Sequence, residues 1–275
     1  MIKVDLTNAR IGVEDVDVGE AHKRLRDISV ENNNVWVEIP NIVTDADIQK
    51  IVDTAKEIRK NFDVLFVVGV GGSFAGAFAG IQWLAGHCEA RSNEAIPVEF
   101  LATTFDPAPA EDALKKWKGK KICVNLVSKS GTTLESIGLM ETLKPIAKRI
   151  IETKGEKWKS EFVILDGVGG RYSAPGAVGY LPMAVAGIDI KKVHDGVRAA
   201  YKDLANPYDN EAYKYAKARL VLHEKKQVEF FASFYEGLEG LGRWWQQLFG
   251  ESEGKEGKGL MPVPLTYSRD LHSMG

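Results

Sequence analysis

Cysteine is scarce in this chain. Two occur among 275 residues, Cys88 and Cys123, and neither has metal-ligand spacing around it. A disulfide framework and a cysteine-based zinc site are therefore poor organising principles here. Cys123 falls within an apolar run, so a buried, reduced thiol is expected. Long apolar runs are missing too. None reaches the roughly 18 residues that a membrane-spanning helix needs. The first residues are charged from Lys3 and Asp5 onward and carry no apolar signal core, so a cytoplasmic location is expected. Charge of one sign is also lacking: 36 Lys and Arg stand against 38 Asp and Glu, for a net of −2. No general attraction to nucleic acid or to an anionic membrane follows, and any anion must be recognised by a local site. Repeats and low-complexity tracts are absent.

What is there is a chain of globular composition, 44% hydrophobic and 27% charged, long enough for one large or two moderate domains. Its most informative stretch is Ser128-Lys129-Ser130-Gly131-Thr132-Thr133. The apolar, largely β-branched run 122–127 precedes it and reads as a buried strand. After it, Leu134, Ile137, Leu143, Ile146 and Ile150 recur at helical spacing, which predicts a helix over 134–151. A hydroxyl-rich turn with one lysine thus joins the C-terminal end of a strand to the start of a helix, where open α/β sheets bind ligands. Unpaired N–H groups and partial positive charge at the helix start suit a phosphate. The alternative is an ordinary Ser/Thr helix cap. The order of residues excludes a Walker A loop.

The remaining chain supports a parallel sheet. Residues 1–34 are polar and weakly patterned and end in Asn32-Asn33-Asn34; Val35–Pro40 reads as a short strand. Thr44 with Asp47 is close to a capping box, and Ile48, Ile51, Val52, Ala55 and Ile58 form one helical stripe. Val64–Val68 is a continuous apolar strand that runs into Gly69-Val70-Gly71-Gly72-Ser73, a second strand-to-helix anion site. Phe74 replaces the third glycine of the dinucleotide fingerprint. Gly76 and Gly80 in the following helix point to close packing against the sheet or to a ligand near the backbone. Further strands are expected at 98–102 and 162–165, helices from about 173 to 222, a strand over 227–234, a helix through Trp244 and Trp245 ending near Phe249, and a loop over 250–259. The 260–275 tail shows no obvious helix or strand. Strands alternating with helices imply βαβ units.

Four blocks together resemble glucose-6-phosphate isomerases of the shorter bacterial type: Gly69–Ser73, Ser128–Thr133, Asp166-Gly167-Val168-Gly169-Gly170-Arg171-Tyr172-Ser173, and Trp244-Trp245-Gln246-Gln247-Leu248-Phe249-Gly250-Glu251-Ser252-Glu253-Gly254-Lys255. Asp270-Leu271-His272-Ser273 is a fifth, shorter match. The resemblance runs from about residue 35 to the end. It implies two sugar-isomerase domains, each a three-layer α/β/α unit with a parallel sheet. Along this chain that division is an N-terminal segment 1–45, a first domain with its following helices 46–222, and the start of a second domain 223–275. It also implies interconversion of glucose 6-phosphate and fructose 6-phosphate through a cis-enediolate, without metal or cofactor, in a homodimer. Ser128, Lys129, Ser130 and Thr133 would hold the phosphate, with Gly72, Ser73 and Gln247 close to the substrate. Glu251 would carry the proton between C1 and C2, and Arg171 would face the enediolate oxygen, where a fixed guanidinium stabilises growing negative charge. His272 would open the ring, acting in the site of the neighbouring subunit. The other histidines match no motif and are expected to be structural or exposed. In the loop with Glu251, Glu253 and Glu256 read as solvated charges. A different class of function, a sugar-phosphate-binding protein without catalysis, would need the phosphate turn but neither Glu251 nor His272.

Three departures from that pattern stand out. The chain stops at Gly275, short of the part that would complete the second domain and supply a catalytic lysine and much of the dimer contact, so little or no isomerase activity is expected of it alone. The stretch 153–161 is short, as though a strand and a helix before Gly169-Gly170-Arg171 were missing. Ala174-Pro175-Gly176 follows Arg171-Tyr172-Ser173 in place of more typical residues.

Overall fold

The structure is a computed structural model and describes residues 2–31, 35–85, 94–206 and 208–274, except for the side chains of 28–31 and 85. The expectations for His87, Cys88 and Asn32–Asn34 lie outside the described residues. Five parallel strands form the main sheet: β1 (Val64–Val68), β2 (Val98–Leu101), β3 (Ile122–Ser128), β4 (Arg149–Gly155) and β5 (Phe162–Ile164), in the order β2-β1-β3-β4-β5. Their side chains alternate between two apolar layers. Leu65, Val67, Cys123 and Val127 enter one, and Val64, Phe66, Ile122 and Val124 the other. Both faces are covered, which is why β1 reads as an unbroken apolar run. Burial pushes the Cys123 thiol up to about 12, so it stays protonated and unreactive.

Eleven α-helices are described. They are α1 (Gly19–Glu31), α2 (Ile39–Ile42), α3 (Asp45–Asn61), α4 (Ala75–Ala85), α5 (Ala108–Lys116), α6 (Leu134–Leu143), α7 (Ala177–Val185), α8 (Ile190–Asp203), α9 (Glu211–His223), α10 (Glu239–Ser252) and α11 (Leu271–Met274). Thr44 and Asp47 do form the capping box that starts α3. Gly76 and Gly80 of α4 admit close neighbours, but these are the turn before α7 and α7 itself rather than the sheet. A Cβ on Gly76 would stand 2.4 Å from that of Ala174, and one on Gly80 2.3 Å from the Met183 methyl. Helix α10 lies along α4, with Gly240 against Ala79 and its N–H donating to Gln82 Oε1 at 2.6 Å.

Several sequence expectations are corrected. Val35–Glu38 is a 3-10 turn followed by α2, not a strand. Residues 1–34 contain a helix, α1, that their weak pattern concealed. The helix expected over 134–151 ends at Leu143, because Pro145 has no N–H to continue the ladder. Ile150 and Ile151 then belong to β4, whose residues alternate between the core and the outside. A strand is therefore present before the Gly-Gly-Arg turn. Only the helix is absent, since residues 156–161 alone link β4 to β5. So short a parallel connection is feasible because β5 pairs only with the last residues of β4. The tail also holds a strand, β7 (Met261–Thr266), parallel to β6 (Val228–Ser233). Pro262 and Pro264, two residues apart, turn their missing donors to the outer edge, which hid this strand from a propensity reading. Gly250–Ser252 are the last turn of α10 rather than loop, so Glu251 stands on a helix.

Candidate active site

The strand order reverses direction between β1 and β3, and the crevice outside their carboxyl ends is the expected ligand position in such a sheet. Both turns singled out in the sequence open there. After β3, the Ser128–Thr133 turn closes on its own hydroxyls. Gly131 N donates to Ser128 Oγ at 3.1 Å, Ser128 Oγ lies 3.1 Å from Thr133 Oγ1, and Thr132 donates to Ser130 Oγ from both N (3.1 Å) and Oγ1 (2.9 Å). Gly131 has φ +70°, and the Trp158 indole packs where a Cβ would stand. Thr133 occupies the cap position of α6, yet its side chain makes no capping hydrogen bond. The ordinary-cap reading therefore fails, and the first N–H groups of α6 remain directed at the turn. Lys129 Nζ donates to Val168 O at 3.0 Å, tying the turn to the loop before Arg171.

After β1, Gly71–Ser73 form a single 3-10 turn, with Gly71 at φ +58°. Gly72 meets the Gly170–Tyr172 turn backbone to backbone. A Cβ on Gly72 would lie 2.1 Å from Gly170 C and 2.4 Å from Arg171 N, so only glycine fits. This contact fixes Arg171. Its NH1 donates to Glu251 Oε2 at 3.1 Å and its Nε to Ser252 Oγ at 3.0 Å, while its carbonyl accepts from Trp244 Nε1 at 3.0 Å. Gln247, one turn before Glu251 on α10, donates from Nε2 to Glu251 Oε1 at 3.2 Å. Its Oε1 is buried without a partner among the described residues. A Cβ on Gly71 would lie 2.8 Å from that Nε2, so Gln247 also faces the first turn. Glu251 itself is 51% exposed, as a group that meets a ligand must be.

The structure thus brings Gly72, Arg171, Gln247 and Glu251 together, with Ser73 on the same turn and Ser128, Lys129, Ser130 and Thr133 on the adjacent one. It does not bring His272 to them. That residue is exposed on α11, and among the described residues its side chain makes no hydrogen bond to Glu251 or Arg171. Four residues around the site were missed. Tyr172 OH lies 2.9 Å from Ser252 Oγ, and Trp36 stacks on the Tyr172 ring at 4.3 Å. Trp158 walls the phosphate turn. Tyr172 and Ser252 stood inside the quoted blocks, but nothing in the sequence marked Trp36 or Trp158. Glu253 is corrected: it is no solvated charge but is paired with Arg219, whereas Glu256 is exposed beside Lys258. No group of three or more His, Cys, Asp or Glu among the described residues could hold a metal ion.

No family model matches the chain. It is 36% identical over 286 residues to a glucose-6-phosphate isomerase of Mycoplasmopsis pulmonis, covering 94% of this chain and 66% of that one. It is 35% identical to the enzyme of that name from Clostridium tetani, covering 100% and 69%. Among solved structures, a hypothetical protein of Thermus thermophilus superposes with a TM-score of 0.79 at 26% identity, over 93% of this chain and 66% of the other. A glucose-6-phosphate isomerase of Chlamydia trachomatis shares the fold, with a TM-score of 0.75 at 18% identity over 95% and 63%. The chain therefore spans about two thirds of the length of its curated relatives. With 35% identity along its whole length, it belongs to the glucose-6-phosphate isomerase family.

Proposed function

We propose that the chain binds a hexose 6-phosphate in the crevice between the β1 and β3 turns and interconverts glucose 6-phosphate and fructose 6-phosphate. One observation carries this reading: Glu251, Arg171 and Gln247 converge beside the glycine turn at the switch point of the sheet. The phosphate takes the hydroxyls of Ser128, Ser130 and Thr133, the Lys129 charge and the free N–H groups of α6, with Gly72 and Ser73 against the sugar. Glu251 removes the proton from C2 of the open-chain aldose. The C–H electron pair forms the C1–C2 double bond, the carbonyl pair moves onto O1, and Arg171 stabilises that oxyanion. A proton passes from the C2 hydroxyl to O1, the freed O2 pair forms the C2 ketone, and the C1–C2 double-bond pair takes back at C1 the proton that Glu251 returns. Exposed His272 fits ring opening in the site of a second copy, within a homodimer. The division into 1–45, 46–222 and 223–275 and a cytoplasmic location, where charged sugar phosphates are retained, complete the proposal. No described helix is long and apolar enough to cross a membrane.

The test pairs calorimetric binding of 6-phosphogluconate with a coupled assay of fructose 6-phosphate conversion. Thr133→Ala should weaken binding by about 1–2 kcal/mol, the scale of a hydrogen bond to a charged group. Unchanged affinity in a folded variant would remove the phosphate turn from the site. One observation favours a second reading, a sugar-phosphate binder without catalysis: both Glu251 oxygens are already engaged, by Arg171 and Gln247. Tight binding with no conversion above the Glu251→Gln blank would establish that reading instead.

A further inference from the structure

We infer that Arg219, remote from the crevice, is a positioning residue for Glu251, acting through Glu253. This rests on the function proposed above. Helix α10 ends just after Glu251. Ser252 is its last residue, Glu253 is already extended, and the chain reverses at Gly254 with φ +86°. What holds Glu253 therefore sets the last turn of the helix. Arg219, on α9, holds it with a two-pronged fork, NH1 to Oε1 at 2.6 Å and NH2 to Oε2 at 3.1 Å. Its third donor, Nε, reaches Glu229 Oε2 on β6 at 2.7 Å, and the guanidinium lies 4.4 Å over the Phe249 ring in the same end of α10. Tyr215 OH donates to the other oxygen of Glu229, and the Leu260 N–H shares Glu253 Oε2 with the fork.

The cluster is mostly buried, and that decides its importance. The Arg219 side chain is 16% exposed, and those of Glu229 and Glu253 are 18% and 27%. Without the guanidinium, two half-buried carboxylates would face each other unpaired, and the end of α10 would move to let water reach them. Although burial opposes its ionisation, the Arg219 pair and the Leu260 N–H keep Glu253 below the usual carboxylate range. Glu251 has no comparable anchor of its own, because its Arg171 and Gln247 contacts must loosen for substrate. A shift of about 1 Å at a reacting group costs on the order of a hundredfold in rate. The phosphate turn, on β3 and α6, does not touch this cluster and should keep its affinity.

Arg149 supplies the control. It too bridges two carboxylates, Glu57 and Glu161, but at the start of β4, the end of the sheet away from the site. The experiment measures isomerisation by the full chain carrying Arg219→Gln, Arg219→Lys or Arg149→Gln. Arg219→Gln should lower kcat about 10- to 100-fold while KM stays within about twofold. Arg219→Lys, which keeps the charge but loses the fork, should recover part of that loss. Arg149→Gln should lower the melting temperature with kcat intact. If Arg219→Gln keeps the wild-type kcat, or loses no more than Arg149→Gln does, the positioning role is overturned while the proposed function stands. A wild-type chain that neither converts fructose 6-phosphate nor exchanges its C1 hydrogen in D₂O overturns both.

Discussion

Single residues at this site are constrained by what lies behind them. Gly72 shows this most sharply, since its Cα touches the peptide that carries Arg171. Gly72→Ala must push the two turns apart, at an overpacking cost of about 1–3 kcal/mol. The predicted outcome is a lower melting temperature together with weaker sugar-phosphate binding. A variant that binds normally at wild-type stability would show that the turns are not braced against each other. The sequence marked Gly72 as part of an anion-binding turn close to the substrate but not as a packing contact, because the neighbour that forbids a side chain lies about a hundred residues away. Thr133 was legible as a helix cap or as a phosphate ligand, and it stands at the cap position of α6 without a side-chain cap bond.

Among the elements, α7 and α8 share a buried polar pair that gives the fold a pH dependence. Tyr180 OH lies 3.0 Å from His194 Nδ1, and His194 is 2% exposed. Burial, reinforced by Arg198, holds its pKa below the ordinary 6.5, against the opposing charges of Asp195 and Asp45. The unfolded chain therefore takes up this proton first. Its contribution to stability is complete above about pH 6.5 and is lost as the pH falls toward the lower folded value. The melting temperature should drop between pH 7.5 and 5.5, and His194→Gln should flatten that drop; an equally steep drop in the variant would clear His194. Asp45, Glu239 and Asp270, held low chiefly by hydrogen bonds to their arginine neighbours, titrate below this window. Strand β6 carries a second prediction. Among the described residues it pairs only with β7, and Val228, Phe230 and Met261 are exposed across that small sheet, with Phe234 73% exposed beyond it. Such a face favours association. Size-exclusion chromatography should show concentration-dependent self-association that Phe230→Glu reduces. A wild-type monomer at all concentrations would contradict this.

For the molecule as a whole, legibility followed periodicity. Strands β1, β2, β3, β5 and β6 and the parallel class of the sheet could be read because apolar runs alternate with helical stripes. Strand β4 was lost to a false helical stripe that Pro145 interrupts, and β7 to its two prolines. The site divided in the same way. Its turns announced themselves as local motifs, whereas the supports at Trp36, Trp158 and Arg219 depend on tertiary neighbours that no spacing records. The central claim is that Glu251 moves a proton on a sugar phosphate held at the β3 turn. Overall turnover also requires ring opening, and His272 stands away from this site. The most direct measurement therefore uses the proton alone. Fructose 6-phosphate is incubated with the chain in D₂O, and deuterium entering at C1 is followed by NMR, drawing on the open-chain ketose already in solution. The account predicts exchange by the wild-type chain and none above background with Glu251→Gln, which still binds 6-phosphogluconate. Equal exchange by both chains, or none by a wild-type chain that binds the sugar phosphate, would contradict it.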